Sequence, residues 1–234
     1  MKKTVCIVNA HPDDLIGSAG LAFLLLESGD YELKIIDFSR GERGLTQFGI
    51  SMEECAEKRT KEEFDACAML GTEPVFLHET DGEIYSSQST CQELAEIFRK
   101  VQPCAVFTHW PVDRHTDHVM CGAATFAALR ISGIHPEVFF HHHPHQTVNM
   151  PFLHYVCFGQ HIMDKKCELV RKYVCQGGAS MAERKLCEAR FFGWKAGKTP
   201  YAEAFGSFQT AGERSAFFEE LPVNINEREK ENLV

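Results

Sequence analysis

Two alternating apolar periodicities constrain this chain most. From residue 3 to residue 131, an apolar, β-branched run is followed four times by a segment with helical apolar spacing. The runs at 3–9, 31–38, 73–77 and 103–108 read as buried strands. The segments at 15–26, 51–70, 88–101 and 118–131 read as helices. Local signals agree: Gly29-Asp30 stops the first helix, Ser51-Met52-Glu53-Glu54 fits a capping box, and Gly71 follows the second helix. Strands that alternate with helices pair in parallel through right-handed crossovers, with helices covering both faces. Beyond residue 131 the pattern loosens into strands at 136–140 and 152–158 and helices at 163–175 and 179–192.

The fold class expected is α/β, Rossmann-like, a mostly parallel sheet with helices on both faces. With no internal repeat and no low-complexity linker, residues 1–212 read as a single domain. Residues 213–234 read as a charged, partly ordered C-terminal tail.

Two polar clusters stand where strands end. Asn9-Ala10-His11-Pro12-Asp13-Asp14 follows the first strand, and Asp113-Arg114-His115-Thr116-Asp117-His118 follows the fourth. In doubly wound sheets, ligands bind beyond the carboxyl ends of strands where strand order reverses. Strand order 3-2-1-4 would make strands one and four neighbours at that point and bring the clusters together. Within each cluster the spacing is three, His11 to Asp14 and His115 to His118, which puts both members on one side of a helical turn. Imidazole with carboxylate suits zinc better than a metal that takes only oxygen ligands. His11, Asp14 and one histidine of the second cluster would give the three protein ligands of a catalytic zinc.

Composition narrows the partners. The net charge of −9 disfavours nucleic acid or an anionic membrane as a general partner. No apolar run approaches the ~18 residues that span a bilayer, so no membrane insertion is expected. Met1-Lys2-Lys3 leads into a short strand, which is no signal-peptide core. The ten cysteines form no C-x-x-C pair and lie mostly in apolar runs. They read as buried free thiols in a reducing compartment, so the expected location is cytoplasmic.

His11-Pro12-Asp13-Asp14 together with His115-Thr116-Asp117-His118 resembles the LmbE/PIG-L-like zinc deacetylases, which remove acetyl from N-acetylglucosamine-type sugars. The run from Asp113 to His118 is most similar to the branch that contains the bacillithiol-pathway deacetylases. Ser39-Arg40-Gly41-Glu42-x-Gly44, Arg59-x-x-Glu62 and Tyr201-Ala202-Glu203-Ala204-Phe205 resemble further family stretches, so the likeness covers residues 3–206. It implies that His11, Asp14 and His118 are the metal ligands, for Zn2+ or another divalent metal such as Fe2+. It implies that Asp13 is the general base, and that His115, oriented by Asp117, stabilises the oxyanion or protonates the leaving amine. Arg59 falls where the family has a substrate-contacting arginine, and the family likeness implies a homo-oligomer. The chain departs from the pattern after Asp14, where Leu15-Ile16-Gly17 replaces the stretch that usually carries a glutamate.

The expected activity is metal-dependent hydrolysis of an acetamide on an N-acetylated amino sugar or its conjugate. An acidic conjugate would favour a basic pocket from Arg59, Arg114 and Arg43. The rival reading is a metal- or sugar-binding member that has lost catalysis. Several residues carry two readings. Arg59 could be a surface arginine paired with Glu62 or Glu63. His141, His142, His143 and His145 invite a second metal site but read first as a surface loop, which could also form a lid over substrate. Trp110 could stack on a sugar or pack at the rim, and Tyr201 and Glu203 are expected to pack near the site.

Overall fold

The computed structural model describes residues 2–208 and 215–221. At its centre, β1 (Lys3–Asn9) pairs in parallel with β2 (Tyr31–Asp37) on one side and with β4 (Ala105–His109) on the other. β2 pairs with β3 (Val75–Phe76), and β4 with β5 (Glu137–His141), both in parallel. The order is β3-β2-β1-β4-β5, the expected order extended by one strand.

Successive β1 side chains serve two cores, because a strand alternates its faces. Val5 and Ile7 enter one cluster with α1 (Ala19–Ser28), α5 (Gln160–Val170) and part of α6 (Gly178–Gly197). Cys6 and Val8 enter the other with α3 (Gln88–Val101) and α4 (Thr116–Ser132). Burial on both faces explains why the strand reads as a continuous apolar run. α2 (Met52–Ala68) is capped by Ser51, whose side chain accepts from Glu54 N, one half of the expected capping box.

Several boundaries differ from the sequence reading. The first helix begins at Ala19, because Asp14–Gly17 is taken up in a 3-10 turn that carries the polar cluster away from β1. α4 starts two residues early, at Thr116, with His115 as its cap. The helix read over 163–175 is α5 ending at Val170, followed by a separate 3-10 turn at Val174–Gln176.

The sequence reading assigned no strand at 201–205. That stretch is β7 (Tyr201–Phe205), antiparallel to β6 (His154–Phe158) and buried at every position. A glutamate at its centre hid it. Glu203 accepts from Gly20 N at 2.7 Å and Leu21 N at 2.8 Å, and pairs with Lys166 Nζ at 2.5 Å. It therefore satisfies the first amides of α1, where a helix N-terminus favours negative charge. Gly20 permits the approach: a Cβ there would lie 2.7 Å from the Phe158 ring and 2.9 Å from Glu203.

Within the expected tail, α7 (Ala216–Glu219) places Phe217 and Phe218 against Phe139 in the core. Residues 209–214 and 222–234 lie outside the described residues.

Candidate metal centre

β1 and β4 end side by side, and their parallel register opens both following loops on the same edge of the sheet. The loop after β1 brings His11, Asp13 and Asp14. The loop after β4 brings Asp113 and His115 and turns directly into α4, which carries Asp117 and His118 in its first turn.

His11, Asp14 and His118 are buried, and their potential ligating atoms all lie within 4.8 Å of one another. His11 Nδ1 is 3.5 Å from Asp14 Oδ2, and His118 Nε2 is 3.4 Å from Asp14 Oδ1. Two ligands on one tetrahedral ion with ~2.0–2.1 Å bonds stand about 3.4 Å apart, so the spacing fits a shared cation. The outer nitrogens face carboxylates. His11 Nε2 lies 3.0 Å from Asp117 Oδ2 and 3.2 Å from Asp81 Oδ1. His118 Nδ1 lies 3.2 Å from Asp113 Oδ1, although off the hydrogen-bond line. A carboxylate on the outer nitrogen holds the proton there and turns the inner lone pair toward the ligand site, as second shells of metal histidines do. Lone pairs of two imidazoles then converge on a carboxylate, which requires positive charge among them.

The electrostatics agree. Burial opposes charge on His11, but hydrogen bonds to Asp117, Asp14 and Asp81 outweigh it and hold its pKa well above the ordinary value. Burial likewise opposes charge on His118, and Asp14 and Asp113 raise it to about 9. Burial alone would raise Asp14, but His118 and His109 hold it well below the carboxylate range. The site draws positive charge onto the atoms around Asp14.

Asp13 sits in a left-handed backbone conformation, φ +93°, that costs a non-glycine residue about 1–3 kcal/mol. Two α2 residues one turn apart stabilise it. Arg59 donates to Pro12 O at 2.5 Å and to Asp13 Oδ1 at 2.6 Å, and Glu63 accepts from Asp13 N at 3.3 Å. Burial raises the Asp13 carboxyl to about 6, with Arg59 pulling it down and Asp14 pushing it up. Arg59 is thus buried in the site and is not the surface arginine of the alternative reading. Gly41, with φ +69°, leaves it room: a Cβ there would lie 2.3 Å from its guanidinium.

His115 and Asp117 do not form the expected side-chain pair. The Asp117 carboxylate faces His11 and accepts from Gly82 N at 2.6 Å. The His115 ring instead accepts at Nδ1 from Asp117 N, at 3.3 Å, because it caps α4. That contact leaves the proton on Nε2. Burial and the neighbouring His11 and His118 lower its pKa.

The centre opens into a cavity of about 1240 Å3. His11, Asp13, Asp14, Arg59, His115 and His118 line it, and α6 adds apolar Met181, Phe191 and Phe192 together with charged Glu183, Arg184, Lys185 and Glu188. Arg43 also lines it, whereas Arg114 is exposed and outside the lining. Trp110 packs on Phe140 and Phe208 and donates to Val148 O, away from the cavity.

Of the four histidines read as a surface loop, only His145 is exposed. His141 is the last residue of β5 and fully buried, His143 is buried, and the cavity wall includes His142, His143 and His145. The loop is held inward by an antiparallel bridge between Asp113 and Thr147 and by the Arg114 N to Gln146 O bond. Sequence reasoning also missed Asp81 and His109. Asp81 lies in a loop of low pattern content, and the fourth strand was ended one residue before His109.

The sequence signature of the PIG-L family, described as GlcNAc-PI de-N-acetylase, matches residues 6–129. The diacetylchitobiose deacetylase of Thermococcus kodakarensis is 30% identical over 139 residues, 57% of this chain and 51% of that protein. The 4-oxalmesaconate hydratase of Pseudomonas putida is 30% identical over 113 residues, 46% of this chain and 44% of that protein. The matched regions thus span about half the length of these curated relatives. The solved N,N'-diacetylchitobiose deacetylase of Pyrococcus horikoshii superposes with a TM-score of 0.69 at 26% identity, covering 87% of this chain and 82% of that one.

Proposed function

This chain belongs to the PIG-L (GlcNAc-PI de-N-acetylase) family, and on that premise we propose that it is a zinc-dependent hydrolase that removes the acetyl group from an N-acetylglucosamine-type sugar or conjugate. The observation that carries this reading is the convergence of His11 Nδ1 and His118 Nε2 on Asp14, with carboxylates on both outer nitrogens. His11, Asp14 and His118 would hold the metal. When bound, it supplies Lewis-acid polarisation of the acetamide carbonyl and lowers the pKa of water toward ~7.

The remaining work falls to the chain's own groups. Asp13, with a carboxyl raised to about 6, takes a proton from the attacking water. Arg59 holds that carboxylate in place. The Nε2–H of neutral His115 donates a hydrogen bond to the carbonyl oxygen as charge develops, and the proton that Asp13 took from water passes to the nitrogen that leaves. An amine leaves poorly unless protonated. Water and acetamide give acetate and a free amine, with each proton accounted for. The mixed apolar and charged lining from α6 and the open cavity accommodate the rest of the sugar or conjugate.

A second reading has its own support. One relative is a hydratase, and the cavity lining carries Arg184 along with Arg43, paired with Glu83, and Lys185, paired with Glu188, for which a carboxylated substrate would compete. Acetate assayed after incubation with N-acetylglucosamine, diacetylchitobiose and an N-acetylglucosaminyl malate separates the two. Release from any of these supports the deacetylase. Water addition to an unsaturated dicarboxylate, without acetate release, favours the hydratase.

A further inference from the structure

Beside the His11–Asp14–His118 centre stands a second set of imidazoles that the proposed hydrolysis does not use. His109 and His141 end β4 and β5 and are directly paired in the sheet register. Their rings emerge together at its carboxyl edge. The inward-held loop adds His143. All three are buried, and their potential ligating atoms lie within 4.8 Å of one another. His109 Nδ1 and His141 Nε2 are 3.3 Å apart, close to the about 3.4 Å that separates two nitrogens on one tetrahedral ion. Ser18 Oγ lies 3.4 Å from His141 Nδ1, on the outer side, which leaves Nε2 as the inner lone pair. His143 Nε2 is buried without a hydrogen-bond partner. An unpaired buried polar atom is rare in a folded protein and calls for an occupant.

We propose that His109, His141 and His143 form a second divalent-metal site, linked to the first through Asp14. Asp14 touches both sets. Its Oδ1 is 3.4 Å from His118 Nε2 and 4.0 Å from His143 Nε2. Its Oδ2 is 3.5 Å from His11 Nδ1 and 3.3 Å from His109 Nε2. The rings of His109 and His118 stack at 3.9 Å, so the two sites are immediate neighbours.

The second site binds more weakly than the first. Without an ion, Ala10 N donates to His109 Nε2 at 3.1 Å, and the His109 proton on Nδ1 goes to His141 Nε2. Binding moves that proton to Nε2, where Asp14 Oδ2 accepts it, and gives up the Ala10 bond. The inference does not depend on the substrate or on the reaction proposed above.

Metal-free protein titrated with Co2+ tests it, with bound metal counted by mass spectrometry and the spectrum checked for absence of thiolate bands. Wild type should take up about two equivalents, tighter then weaker, and His143→Ala and His141→Gln about one each. Saturation of wild type at one, or variants that still bind two, would overturn the proposal. Circular dichroism reports whether the variants fold. If they do not, electron paramagnetic resonance of wild type decides. A second Co2+ in this site broadens the signal of the first, and an unchanged first signal places the second ion elsewhere and overturns it. One equivalent with chelator-sensitive acetate release removes this site and keeps the hydrolase. Two equivalents without acetate release do the reverse.

Discussion

Asp13 combines a left-handed backbone with a buried carboxyl raised to about 6. Nothing in metal binding asks for either, because the proposed ligating atoms come from its neighbours His11, Asp14 and His118. In the proposed chemistry, Asp13→Ala therefore keeps its metal and loses turnover by about 10²–10⁴-fold, the usual contribution of a positioned base. Metal analysis and acetate release on one preparation check this. Unchanged turnover would remove Asp13 as the base and favour a different proton acceptor. Arg59 gives a second prediction. Its guanidinium, 2.6 Å from Asp13 Oδ1, lowers the carboxyl against burial. Arg59→Met lets that pKa rise, so the acidic limb of the kcat/KM profile moves to higher pH. An unmoved limb would mean that another group titrates there.

Secondary elements act as clamps on the polar loops. α2 holds the Asp13 turn with Arg59 and Glu63, one helical turn apart. β7 holds the start of α1 through Glu203, which serves two amides and Lys166 inside the protein. Glu203→Ala leaves a buried ammonium and two helix-end amides without their acceptor. The expected loss is about 3–5 kcal/mol of stability, read from urea unfolding. Glu203→Gln should lose less, because its amide oxygen still accepts. A loss under about 0.5 kcal/mol in Glu203→Ala, the range of ordinary surface changes, would show that the staple contributes nothing. Legibility in the sequence followed the same division. β1, β2, α2 and α3 were readable because apolar period and capping residues agree there. β7 was not, because a strand with a central glutamate looks half-exposed until Lys166 and the α1 amides, distant in sequence, are seen around it. The histidines of 141–143 looked like a polar loop for a similar reason. Only the register of β5 against β4 shows that His141 points into a site.

At the scale of the whole molecule, the strand order brings β1 and β4 together and with them two clusters a hundred residues apart. The clusters and their meeting point were legible, since each stands at the end of an apolar run. The outer carboxylates were legible only in part. Asp117 was expected on His115 and faces His11, and Asp81 was not foreseen, because side-chain partners across loops leave no periodic trace. The density of buried acids has a consequence for stability. Burial raises Glu63 to about 7, from 4.5. Between those values the unfolded chain releases the proton that the folded chain keeps, so stability falls as pH rises through that window and is level above it. Glu63→Gln removes this loss, worth about 3 kcal/mol. Its urea midpoint should exceed that of wild type increasingly from pH 5 to pH 7. Parallel midpoints at both pH values would contradict the assignment. The central claim is that a metal held by His11, Asp14 and His118 makes this chain a deacetylase. The most direct test is acetate release from N-acetylglucosamine and its malate conjugate by protein as isolated, after chelation, and after zinc is restored. The account predicts release that stops on chelation and returns with zinc in wild type but not in His118→Ala. Release that persists without metal, or no release from any N-acetyl sugar by zinc-loaded protein, would contradict it.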